Sequence, residues 1–249
     1  MEKYTISETT TVRSVPLIDN PVPNIKIKKA DLLPDPKSRL DSMEMKEKPI
    51  SDSSIPFRDL TDVTSKKESI ARIIDKLDVA NNIRYQKTIE DTYCNVYSYD
   101  YCYFCKVYLP TVWWTDEALQ KILQGEEVEA IFEKTVDRIF SSAIHDWFLQ
   151  WGASFGWQRM FTADEIQNKV NANGGIGIIC AKRKIKGLSG HIVPVVPETD
   201  LNKAYRENGV VVYPQQSQAG KLNYNYFSEV RKDWWNDELY SSYVFYYHD

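Results

Sequence analysis

Residues 92–105 read Thr-Tyr-Cys-Asn-Val-Tyr-Ser-Tyr-Asp-Tyr-Cys-Tyr-Phe-Cys, and the conformation of this run decides what kind of protein the chain makes. Tyr97, Tyr99, Tyr101 and Tyr103 fall on alternate residues, the period of a half-buried strand, and tyrosine favours strands. With a 3.6 period, the same run puts Val96, Tyr99, Tyr103 and Val107 on one side, with Cys94, Tyr101 and Cys105 nearer another. Local propensity leaves the two readings even, but their chemistry differs. A helix opening at Cys94 would set its thiol against free N–H groups and the positive end of the helix dipole, which lowers a thiol pKa.

Upstream, Ser65 followed by Glu68 is a capping-box pattern. Ile70, Ile73, Ile74 and Leu77 then predict an amphipathic helix that ends at Asn81-Asn82. Residues 1–65 hold seven of the eleven prolines and no glycine, and their apolar residues follow neither period. They read as an extended or disordered polar tail, with the folded domain spanning 66–249. Downstream, helices are expected over roughly 116–140 and 141–154, the second with Ile144, Trp147, Phe148 and Trp151 on one face, and another near 162–171. Past the turn at Asn173-Gly174-Gly175 the pattern becomes that of strands: 176–181, 191–196, 210–213, 224–226 and 243–247, with a helix or turn over 233–240. Helices first and antiparallel strands after is an α+β order.

Composition excludes several classes. The 31 basic and 35 acidic side chains leave a formal charge of −4 with no long basic run, so no nucleic-acid partner is expected. No apolar stretch approaches the roughly 18 residues of a membrane span. Residues 1–8 lack the apolar core of a secretory signal, so synthesis in the cytoplasm without such a signal is expected. Four cysteines in 249 residues suggest reduced thiols. Cys102-x-x-Cys105 lacks the spacing of a zinc ribbon or finger, and no metal or cofactor is expected. His145 reads as structural and His248 as exposed. The 7 Trp and 16 Tyr suit either a polymer-binding groove or a packed core.

Nucleophilic catalysis by cysteine needs a thiol, an imidazole and a group that orients the ring. Cys94, His191 at the head of a strand after Gly190, and the amides of Gln215, Gln216 and Gln218 supply those types. Asn82-Ile83-Arg84-Tyr85, then Thr92-Tyr93-Cys94-Asn95-Val96-Tyr97 and Asp100, resemble the Asn-x-Arg-Tyr and Thr-x-Cys-Asn-x-Tyr/Phe-x-x-Asp signature of NlpC/P60 and CHAP-like papain-fold cysteine peptidases. Ser189-Gly190-His191-Ile192-Val193 is similar to the Gly-His strand of that group. The resemblance spans about 82 to 226.

The resemblance implies a helix from Cys94 packed on an antiparallel sheet that carries His191. Cys94 would be the nucleophile and His191 the general base and acid. Relatives place His, Asn, Asp, Glu or Gln on the next strand as the third residue; Gln216 and Gln218 both qualify, and Gln216 is preferred. Tyr93, Asn95, Trp113, Trp114 and Gln218 are then candidates for substrate binding, and Asp100 for a structural hydrogen bond. The implied activity is hydrolysis of a peptidoglycan amide, in the stem peptide or between stem and sugar. Cell-wall degradation would need delivery to the periplasm, as an antibacterial effector with an immunity protein and a secretion-apparatus partner, or as a phage-type lysin. The alternatives are a papain-fold protease or isopeptidase acting on a protein, and a non-catalytic binding module of the same fold.

Overall fold

The computed structural model describes residues 27–32, 45–230 and 232–249; the remainder of the expected tail lies outside the described residues. Helix α1, Val63–Leu77, buries Ile70, Ile73, Ile74 and Leu77, the spacing read from the sequence. It opens three residues earlier than expected: Asp62, not Ser65, is the N-cap, accepting from the Ser65 N–H. The ambiguous run is helix α2, Cys94–Phe104. Ten of its eleven residues are buried, so it has almost no polar face for a periodicity argument to find.

Strand β1, Val112–Trp114, pairs with β2, Val136–Arg138. Between them lies α3, Asp116–Leu123, capped by Thr115. The long helix expected over 116–140 is therefore one of eight residues followed by a turn at Gly125, and the chain then returns as a strand. Helix α4 spans Ser141–Gln150 and α5 spans Ala163–Asn173. Strand β3, Gln158–Met160, lies between them.

The remaining strands are β4, Ile176–Arg183, β5, His191–Val195, β6, Tyr205–Glu207, β7, Val210–Tyr213, β8, Gln216–Gln218, β9, Tyr224–Phe227, and β10, Tyr240–His248. Six of the strands form one antiparallel sheet in the order β3-β10-β4-β5-β8-β9, and β6 and β7 make a separate hairpin. The protein is thus α+β, as the order of elements suggested.

Alternation along the strands sends side chains to both faces. Ile178, Cys180, Ile192, Val244 and Tyr246 pack into one core with α1, α2 and α4. Ile179, Ala181, Val193, Val195, Phe245 and Tyr247 pack into a second with Ile166 and Val170 of α5 and with Trp234 and Trp235. Both faces are covered, which accounts for the continuous apolar run of β4.

The boundary at residue 65 needs correction. Residues 27–32 and 45–62 are irregular, yet Ile27, Ala30, Ile50 and Ile55 belong to the first core. Tyr108 OH accepts from the Ala30 N–H at 3.0 Å, and Trp114 Nε1 donates to the Lys28 carbonyl at 2.8 Å. An extended segment satisfied by side chains of the domain carries no periodic signal of its own, so its docking was invisible in composition.

Candidate active site

The residues of the Asn-x-Arg-Tyr stretch and Asp100 build a buried polar cluster under α2. Arg84 Nε donates to Asp100 Oδ2 at 2.6 Å, and both side chains are fully buried. Asp100 also accepts from the Tyr85 hydroxyl at 2.9 Å and from the Ile50 N–H at 3.0 Å. Arg84 Nη2 donates to the Lys48 carbonyl at 2.7 Å. Asn82 caps the short 3₁₀ turn Ile83–Tyr85. Asp100 therefore has the structural role expected of it, fixing α2 against the segment at 48–50.

That anchoring places Cys94 at the first turn of α2, where its Sγ lies 3.2 Å from Ser141 Oγ. Burial pushes the Cys94 thiol up from its ordinary value. Opposing that shift are the Ser141 hydroxyl and the backbone N–H groups of Ile192, Asn95 and Cys94. The helix terminus thus acts in the expected direction, but desolvation of the charged form wins. A depressed thiol pKa in the resting protein is not found.

His191 opens β5, and its position is set by a close approach: a Cβ on Gly190 would lie 1.9 Å from the Ala181 carbonyl oxygen, so only glycine fits before it. The imidazole packs edge-on against Trp234, ring centroids 4.5 Å apart, and Nε2 lies 2.9 Å from Gln218 Oε1. Gln218 Nε2 donates to the Leu222 carbonyl at 2.9 Å, which fixes Oε1 as the atom facing the ring. The ring nitrogen at that bond must then be the donor, so Nε2 carries hydrogen. The orienting amide is thus Gln218. Gln216, preferred from sequence, accepts instead from Trp234 Nε1 at 2.8 Å and donates to the Pro214 carbonyl. The two amides lie two residues apart on one strand, and only the fold tells which meets the ring.

The structure brings the Cys94 sulfur to the Ile192 N–H, one residue from His191. On the other side the Ser141 hydroxyl meets the sulfur. A cavity of about 350 Å³ is lined by residues from the α2 approach, including Tyr93 and Asn95, by Arg138 and Phe140, and by Gly187 to Ser189 of the loop before His191; Cys94, Ser141, His191 and Gln218 are not part of its lining. Lys46 lines the same cavity, its Nζ 3.0 Å from the centre of the Tyr93 ring. Burial and the nearby Arg84 and Arg138 push the Lys46 ammonium down to about 8.

Trp113 and Trp114 are only 1% and 2% exposed. They are core residues, Trp113 packing against Trp147, Trp151 and Phe155, and neither lines this cavity. Sequence reading missed Ser141, Arg138 and Lys46, none of which carries a motif. His145 holds Asp146 and Ser242 at 3.0 Å each, a structural role. His248, expected exposed, bonds the Phe155 carbonyl at 3.0 Å. Cys102 and Cys105 are buried, and desolvation pushes both thiols up, Cys105 to about 12. Among the described residues no helix is long and apolar enough to cross a membrane. Comparison with protein-family models, curated proteins and solved structures finds no match to this chain.

Proposed function

We propose that the chain is a papain-like hydrolase of the NlpC/P60 type that cleaves amide bonds through a thioester on Cys94. The observation that carries this reading is the His191–Gln218 bond. It commits Nε2 to donation and leaves Nδ1 as the basic nitrogen, on the residue next to the one whose N–H reaches the Cys94 sulfur. In this mechanism the thiol gives its proton to Nδ1 as the sulfur attacks the carbonyl carbon. Backbone N–H groups at the start of α2 hold the oxyanion. The imidazolium then protonates the leaving amine, and water hydrolyses the thioester to release the acid and restore the thiol.

The favoured substrate is peptidoglycan. Lys46 and Arg138 line the cavity together with Glu90 and Asp91, a mixed-charge wall suited to a short peptide bearing both carboxylates and amines. Such a substrate lies outside the cytoplasm, so the reading includes delivery to the cell wall, with an immunity protein in the producing cell. The test is digestion of purified sacculi by wild type and Cys94→Ala, with soluble fragments identified by mass spectrometry. Release by wild type alone supports the reading and names the bond. No release from sacculi of several chemotypes sinks it and turns the search to protein substrates.

A further inference from the structure

Ser141 is the first residue of α4 and is fully buried. Its hydroxyl meets the Cys94 sulfur at 3.2 Å, and its carbonyl accepts from Cys180 Sγ at 3.3 Å. The next residue, Ser142, donates its hydroxyl to the Leu188 carbonyl at 2.9 Å and accepts from the Arg183 N–H at 3.2 Å. Ser142 thereby ties down the loop that runs through Gly190 into His191. One end of one helix thus touches both the candidate nucleophile and the approach to the candidate base.

We propose that Ser141 is a positioning residue, donating its hydroxyl hydrogen to the Cys94 sulfur and so holding the nucleophile in register with the His191 loop. Its catalytic meaning rests on the reading of Cys94 as nucleophile; the hydrogen bond does not. Either atom can donate while the sulfur is a thiol. A thiolate has no hydrogen, so on ionisation only the serine donates, and the bond becomes charge-assisted and stronger. Removing the hydroxyl should therefore penalise the thiolate far more than the thiol.

The experiment is the pH–rate profile of iodoacetamide alkylation at Cys94 in the full chain, followed at that residue by mass spectrometry. Ser141→Ala should raise the midpoint of the profile by about one pH unit, the size of one lost charge-assisted bond. Ser141→Thr, which keeps the hydroxyl, should hold the wild-type midpoint. Should the alanine variant not fold, Ser141→Gly carries the same expectation. A folded variant without the hydroxyl that keeps the wild-type midpoint, or lowers it, overturns the inference. On a cleaved substrate, Ser141→Ala should lower kcat at neutral pH with KM retained, and the deficit should narrow as pH rises. Absence of sacculus digestion by wild type counts against the hydrolase reading whatever the midpoints, whereas an unshifted midpoint counts against Ser141 whatever the digestion.

Discussion

Replacing Asp100 with alanine tests whether the polar cluster under α2 holds the site in place. The substitution strands the Arg84 guanidinium, whose side chain has no solvent exposure, and leaves the Tyr85 hydroxyl and the Ile50 N–H without their acceptor. Breaking a buried ion pair from one side costs about 3–5 kcal/mol, because a charge stays desolvated. The orphaned neutral donors belong to the same network and do not simply add to that. At about 2–4 °C per kcal/mol for a protein of this size, the melting temperature should fall by roughly 6–20 °C. The double variant Arg84→Met/Asp100→Leu removes the stranded charge. It should recover about half of the loss, since the two neutral donors remain unpaired. Thermal unfolding of the three proteins measures this directly, and amide exchange at Ile50 should quicken in both variants. A loss below about 1 kcal/mol in Asp100→Ala, or a double variant no more stable than the single one, would refute the account of this cluster.

Gln218→Ala should cut Cys94-dependent hydrolysis by roughly tenfold or more, through loss of the bond that fixes the His191 tautomer, while Gln216→Ala should act mainly on stability; kcat and melting temperature measured on both decide it. Ile50→Ala should cost about 2–4 kcal/mol, seen as a lower denaturant midpoint, whereas a neutral effect would restore the idea of a detachable tail. Burial pushes the thiols of Cys94, Cys102, Cys105 and Cys180 up in the folded state. The unfolded chain therefore loses those protons first. Stability from this source is full below the ordinary thiol range and should be lost as pH climbs from about 8.5 through the raised values, readable as a falling melting temperature across that window. Trp113→Phe should lower stability without changing KM for any cleaved substrate.

Much of the architecture is legible along the chain because its periodic elements have one wet and one dry side. The amphipathic spacing of Ile70 to Leu77 and the β-branched runs at 176, 191 and 210 all became the elements they suggested. Where that contrast is missing the reading failed or stalled. Helix α2 is buried nearly all round, so its alternating tyrosines imitated a strand. The stretch at 116–140 broke at Gly125, whose backbone adopts φ +88°, a conformation natural to glycine and foreign to a continuing helix.

The candidate site divides along the same line. By itself the sequence determined which side chains are available: a cysteine in a Thr-Tyr-Cys-Asn run, a histidine behind a glycine, and amides on a later strand, since residue types and their order are local information. Only the tertiary structure decided which of them meet. It chose Gln218 over Gln216, moved Trp113 and Trp114 from groove to core, drew residues 27–32 and 45–62 onto the domain, and set Ser141 against Cys94. Each of those outcomes depends on contacts between residues far apart in the chain, made by packing and hydrogen bonding that no local period encodes.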